Sequence, residues 1–323
     1  MEPDHNLFHL WNNCNACGMS PIFGKRYECV TCPLGPDSDL CGACHEKVMQ
    51  GELKHPPPDN RLASDAGGEA HRFRCYEGTP TGEAEPWFHV PHAMLAAPNI
   101  ADGFVVRPEF CSGFESTFAG YGFVVKAPGF ETPLLLTALH VMDEMIKKKG
   151  IDMSGGNGAY TGRELPAVLT GVNLYNVYAA NWMIASLGEA GPMLVLPEAN
   201  LDAPEPLSDG DIAAFRVANP QGLAPAELAP GPPRVGQPIW LAACKGNGAT
   251  QRAIKAVVVK QDERSLVFRY AENKLPPFTS GAPLIDAQGR VVGINVGGGD
   301  YREQRFGHAN HVANIRRHLA QAC

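Results

Sequence analysis

Thr279-Ser280-Gly281-Ala282-Pro283-Leu284-Ile285-Asp286, continued after a short gap by Gly289-Arg290-Val291-Val292-Gly293-Ile294-Asn295-Val296-Gly297-Gly298, is the stretch on which the reading of this chain turns. A Ser-Gly turn presents a hydroxyl, an apolar strand follows, a polar turn closes at Gly289, and a second apolar strand ends in glycines. Alone this is a β-hairpin with a serine at its mouth, and a Ser-Gly pair by itself is only a turn. A histidine and an aspartate upstream, each beside a strand, change its meaning.

Working outward, Tyr121–Lys126 and Pro133–Leu139 read as strands, and the second ends at His140. Val141–Lys149 reads as a short helix closed by Gly150, with its lysines at the favourable C-terminal end. Residues 150–209 hold strand-like pieces at Leu169–Tyr178 and Met193–Leu196 and read as an insertion or a long hairpin whose purpose the sequence does not state. Asp211 stands directly before the apolar register Ile212-Ala213-Ala214-Phe215-Arg216-Val217, and Asp209 competes with it. Leu223–Arg234 is an aperiodic Ala/Pro-rich crossing, after which Gly236–Ala243, Ala253–Val259 and Ser265–Tyr270 read as further strands. Val312, Ile315 and Leu319 share one face of a terminal helix.

The order His140, Asp211, Ser280 in these contexts resembles the chymotrypsin-like (trypsin-like) serine peptidases over roughly residues 113–320. Thr137-Ala138-Leu139-His140 and Ser280-Gly281-Ala282-Pro283-Leu284 carry the resemblance most strongly. It implies a mainly β fold of two six-stranded barrels with a C-terminal helix. His140 would be general base, Asp211 would orient it, and Ser280 would attack the acyl carbon. An α/β-hydrolase has the order Ser, acid, His and is disfavoured. The family usually has glycine two residues before the serine, where a backbone N–H joins the serine's own N–H in the oxyanion hole. Here that residue is Phe278, after Pro276-Pro277. A bulky side chain in a glycine-like conformation costs about 1–3 kcal/mol, and one lost oxyanion donor costs about 10²–10³ in rate, so a peptidase latent until activated is expected. The resemblance also implies that Asn295 and His308 border the substrate pocket.

Six of the ten cysteines lie in three Cys-x-x-Cys pairs: Cys14/Cys17, Cys29/Cys32 and Cys41/Cys44. Such knuckles hold zinc, and since zinc closes at four ligands, two sites would need two histidines as well. His45, His55 and His71 are the candidates. With Arg26-Tyr27-Glu28 before one pair and Asp39-Leu40 before another, the segment resembles a ZZ-type zinc finger. The resemblance implies two structural Zn2+ ions, one on Cys14, Cys17, Cys41 and Cys44, the other on Cys29 and Cys32 with two trailing histidines. His55 and His71 fit if a Pro/Gly-rich loop is inserted between them, and His45 is their rival. It further implies that Asp37 and Asp39 accept a protein tail.

The totals agree with this. At 323 residues, 44% hydrophobic and 19% charged, the chain has the composition of a globular protein of about two domains. No apolar run is long enough to span a bilayer. The net charge of −7 disfavours a general nucleic-acid binder. Met1-Glu2-Pro3-Asp4-His5 lacks the order of a signal peptide, so a cytoplasmic setting is expected. The expected organisation is a zinc module over residues 10–75, a connector over 76–112 and a peptidase domain over 113–323. The expected function is an intracellular serine endopeptidase acting on proteins or peptides, with no membrane or nucleic-acid partner. The alternative is a non-catalytic interaction scaffold that keeps the peptidase fold beside a tail-binding zinc module.

Overall fold

The computed structural model describes residues 5–29, 39–53, 71–113, 115–142, 165, 169–176, 186–199, 209–220, 222–244, 251–272 and 279–322. Asp37, Cys32, His55, Phe278 and the expected helix from residue 143 onward lie outside them. Two compact units are present, one of Met1–His89 with Gly298–Gln304, the other of Val90–Gly297 with Arg305–Cys323.

The first unit is built from short pieces. They are β1 (Leu7–His9), β2 (Ile22–Phe23), β3 (Arg26–Cys29), β4 (Asp39–Cys41), α1 (Gly42–Met49), β5 (Phe73–Tyr76), β6 (Thr79–Pro80) and α2 (Thr81–His89). They form two three-stranded sheets, β2-β1-β6 and β4-β3-β5. One of its cores is no larger than Cys14, Ile22, Leu40, Cys41 and Cys44. Elsewhere in the unit Phe8 stacks on Tyr301, with ring centroids 4.7 Å apart.

The second unit holds two barrels. The first uses β7 (Val105–Ser112), β8 (Glu115–Phe118), β9 (Gly122–Lys126), β10 (Leu134–Thr137), β11 (Gly171–Asn176), β12 (Ser186–Met193), β13 (Ala213–Asn219) and β14 (Ala226–Glu227). Six of these close in the order β9-β10-β13-β12-β11-β7, the ring being completed by β7–β9 pairing at Val105↔Phe123, with β8 and β14 added at its margins. Phe110, Phe123 and Phe215 fill its core. The residues expected as a connector thus carry regular structure: α2 lies among them, and β7 is already a barrel strand.

The second barrel closes as β15-β16-β17-β20-β19-β18. Its strands are β15 (Pro238–Cys244), β16 (Gln251–Gln261), β17 (Leu266–Tyr270), β18 (Pro283–Ile285), β19 (Val291–Tyr301) and β20 (Gln304–His311), and α3 (Val312–Ala320) follows. Trp240, Phe268 and Phe306 fill this core. The turn between β18 and β19 forms as its polar residues dictate. Asp286 Oδ1 accepts the Gln288 and Arg290 N–H groups at 2.9 Å, and Gly289 supplies the positive φ of 77° that closes the turn. The fold is the mainly β, double-barrel architecture with a C-terminal helix and a cysteine-rich N-terminal module that the sequence predicts.

Candidate active site and metal centre

Strand register brings His140 and Asp211 together. β10 and β13 are antiparallel with Thr137 opposite Ala213, so the residues just past one strand adjoin those just before the other. After Thr137 the chain enters a 3₁₀ turn, Leu139–Met142, which presents the His140 ring. Asp211 Oδ1 accepts the His140 backbone N–H at 3.0 Å, and Oδ2 takes a hydrogen bond from Nδ1 at 2.6 Å. Asp211 is 8% exposed. Burial pushes its carboxyl up, but the attraction and hydrogen bonds of His140 outweigh that and hold it below its ordinary value. Of the two competing acids, Asp209 turns instead toward Arg317 and Arg264, at 3.5 and 3.8 Å.

The Ser280 turn is fixed to the same region by backbone. Ser280 C=O accepts the Tyr121 N–H at 2.8 Å, and Thr137 Oγ donates to Tyr121 C=O at 2.6 Å. Tyr121 therefore links the serine turn to the strand that leads into His140. Gly120 lies in the gap, where a Cβ would come 2.7 Å from Ser280 O and 2.6 Å from Val141 Cγ1. Gly281 has φ +81°, and a Cβ there would collide with Tyr121 O and Thr137 Oγ. Only glycine can follow the serine in this conformation. With Nδ1 bonded to Asp211, a hydroxyl would have to give its proton to the other ring nitrogen, Nε2.

The two expected pocket residues sit on neighbouring strands of the second barrel. His308, on β20, packs its Nε2 over Gly297 of β19. Asn295 is 1% exposed, and its Nδ2 donates to Thr279 O at 3.0 Å and to Thr279 Oγ at 3.2 Å. Its backbone N–H goes to Ala282 O, and its carbonyl takes the Gly281 N–H, both at 2.8 Å. Asn295 is thus a clamp on the serine turn. That role was missed because the sequence does not state which way a side chain points within a hairpin.

In the first unit, Cys14, Cys17, Cys41 and Cys44 bring their sulfurs within 4.8 Å of one another. Tetrahedral zinc with Zn–S of about 2.3 Å places sulfurs roughly 3.8 Å apart, and Cys17 Sγ lies 3.9 Å from Cys41 Sγ. The donor set fits zinc. Crowding splits the thiols: the hydrogen bond with Cys41 pulls Cys14 down to about 4 and pushes Cys41 up. Cys29 Sγ lies 3.4 Å from His71 Nδ1, so these two of the second expected ligand set are adjacent. His45, the rival, is stacked on Tyr27 at 3.7 Å and edge-on to Phe73. Asp39 is buried, taking Arg26 at 3.2 Å and Asn12 Nδ2 at 2.8 Å. Its carboxylate is a strut of the module; Asp37, the other acid expected to meet a tail, lies outside the described residues.

Two six-stranded barrels with a C-terminal helix are the architecture of the chymotrypsin-type serine peptidases. The comparisons agree: residues 120–294, more than half of the chain, match the family model of the trypsin-like peptidase domain, and the chain belongs to that family. Residues 9–55 match the ZZ-type zinc finger. A 64-residue stretch is 38% identical to the E3 ubiquitin-protein ligase PRT1 of Arabidopsis thaliana, covering 19% of this chain and 15% of the length of that relative. Among solved structures, the Rv3671c protease from M. tuberculosis in its active form is similar at 19% identity and a TM-score of 0.41, over 71% of this chain and 89% of that one. The MamO protease domain from Magnetospirillum magneticum is 17% identical with a TM-score of 0.41, over 67% of this chain and 96% of that one. Among the described residues no helix is long and apolar enough to cross a membrane.

Proposed function

We propose that this chain is a serine endopeptidase that cuts protein substrates by acyl transfer at Ser280, with His140 as general base and Asp211 as its orienting partner. The observation that carries the reading is the pair of hydrogen bonds that the His140 backbone and ring donate to Asp211, at 3.0 and 2.6 Å. Asp211 fixes the tautomer with the proton on Nδ1, so Nε2 accepts the Ser280 proton as Oγ attacks the scissile carbonyl. The tetrahedral oxyanion is met by the N–H groups of Ser280 and Phe278. His140 then gives its proton to the leaving amine, and water, deprotonated by the same ring, releases the acyl group. Phe278 in place of the family's glycine supports a latent state that a partner relieves. His308, over Gly297, borders the pocket, and Asn295 shapes it by holding Thr279.

The zinc module, taken as residues 10–75, holds two ions in this reading, and the stretch expected as a connector, 76–112, ends in β7 of the first barrel. The second would use Cys29, Cys32, His55 and His71, and the adjacency of Cys29 and His71 supports it. Its role is to engage a protein tail or the substrate itself. The use of cysteine as a metal ligand supports a reducing, cytoplasmic setting.

Reaction with a fluorophosphonate probe followed by mass spectrometry tests the peptidase reading. Labelling of the wild type, lost in Ser280→Ala, is expected. A wild-type chain that stays unlabelled both alone and in a lysate containing its partners overturns it, and the fold would then serve as a scaffold.

A further inference from the structure

Asp209 lies two residues before Asp211, and its carbonyl is held by two buried side chains from the end of the chain. Asn310 Nδ2, on β20, donates to it at 3.2 Å, and His318 Nε2, on α3, donates to the same oxygen. Both residues are 0% exposed. A carbonyl has two lone pairs, so this oxygen is saturated. From Gly210 the backbone turns at once, the Ile212 N–H bonding to Gly210 O at 2.9 Å, which puts Asp211 at the apex of a three-residue turn. The Asp209 carboxylate is tied in as well, by Arg317 and Arg264.

His318 has a defined tautomer here. A carbonyl only accepts, so Nε2 carries the proton, while Nδ1 is buried with no partner among the described residues. Burial pushes the ring's pKa down and the Arg317 charge adds to that, while the bond to the Asp209 carbonyl and the charges of Glu198 and Asp209 pull the other way. A buried ring nitrogen without a partner is costly, and leucine would fill the position without that cost. What leucine lacks is the N–H that reaches the Asp209 carbonyl.

We infer that His318 and Asn310 are positioning residues: through the Asp209 carbonyl they fix the turn that aims the Asp211 carboxylate at His140. This rests on the proposed peptidase function. It gives α3 and β20, at the end of the second barrel, control over an acid that precedes a strand of the first. A shift of about 1 Å in such a group can cost as much as 10²-fold in rate.

The test compares full-length wild type with His318→Ala, His318→Gln and Asn310→Ala, each checked for an intact fold by circular dichroism. One readout is the rate of fluorophosphonate labelling. The other is the downfield proton resonance of the His140–Asp211 hydrogen bond, assigned by its loss in His140→Gln. His318→Ala is expected to slow labelling roughly 10- to 100-fold and to displace or abolish the resonance. His318→Gln, which keeps an N–H donor of similar reach, restores most of both. A folded His318→Ala chain with the wild-type resonance and rate overturns the inference. If that variant does not fold, Asn310→Ala, which removes the other donor to the same carbonyl, carries the same prediction. If wild type labels neither alone nor in a lysate containing its partners, the peptidase reading falls, while the resonance comparison still decides whether His318 positions the acid.

Discussion

A carboxylate with 8% of its surface in contact with water is stable only if its oxygens are occupied, and Asp211 gives both of its own to His140. Replacing it with asparagine keeps the shape but offers an NH₂ where the ring needs an acceptor, and the imidazole is pushed into the wrong tautomer. Asp211→Asn is therefore expected to fold and to lose about 10⁴ in labelling rate. Because the folded carboxyl lies below its ordinary 3.8, the unfolded chain binds its proton first as pH falls. The stabilisation is complete above 3.8 and is lost as pH drops through the lower folded value. Unfolding measured against pH should show wild type and Asp211→Asn converging toward the acid end of that window, and a constant difference would contradict the assignment. At this scale sequence reading favours Asp211 over Asp209 on strand register, but it gives Asp209 no task. Its task is a backbone carbonyl, and carbonyls are invisible in a sequence.

The elements were legible where their signals are local. The β18–β19 hairpin announces itself because Asp286 and Gly289 make the turn on their own and the flanking residues are apolar. β20 does not: Gln304-Arg305-Phe306-Gly307-His308-Ala309-Asn310-His311 is polar on paper, yet its last residues are buried because they face β17, the serine turn's barrel interior and the Asp209 loop. β7 was hidden by Pro108 and by the prolines before it, which read as a connector, although the strand pairs with β8, β9 and β11. His318 had a faint signal, since His311, Ile315 and His318 recur at helical spacing, and polar residues on an apolar face ask for buried partners. The serine turn shows how an element constrains a residue. Gly281→Ala would force a Cβ against Tyr121 and Thr137 at a φ of +81°, with an expected cost of at least about 1–3 kcal/mol. A lower urea midpoint together with lost labelling is the expected result. An alanine variant as stable and as reactive as wild type would show that the turn is not held as described.

On the scale of the whole molecule, the two units are stabilised by different physics. The barrels bury a continuous apolar core around Phe110, Phe215, Trp240 and Phe268. The first unit has short strands, helices of eight and nine residues, and at its cysteine cluster a small core in which three of the five buried side chains are cysteines. Such a core supplies little stability without a metal, whose binding contributes on the order of 10–16 kcal/mol at a structural zinc site. Stripping zinc with a strong chelator is therefore expected to open Met1–His89 to limited proteolysis while Val90–Gly297 stays resistant. Metal analysis should find zinc on the wild type and less on Cys41→Ser, and the same chelator sensitivity should appear in that variant without any chelator. A Cys41→Ser chain with undiminished zinc and unchanged protease resistance would mean that the four sulfurs, though within 4.8 Å of each other, do not hold the ion that folds the module.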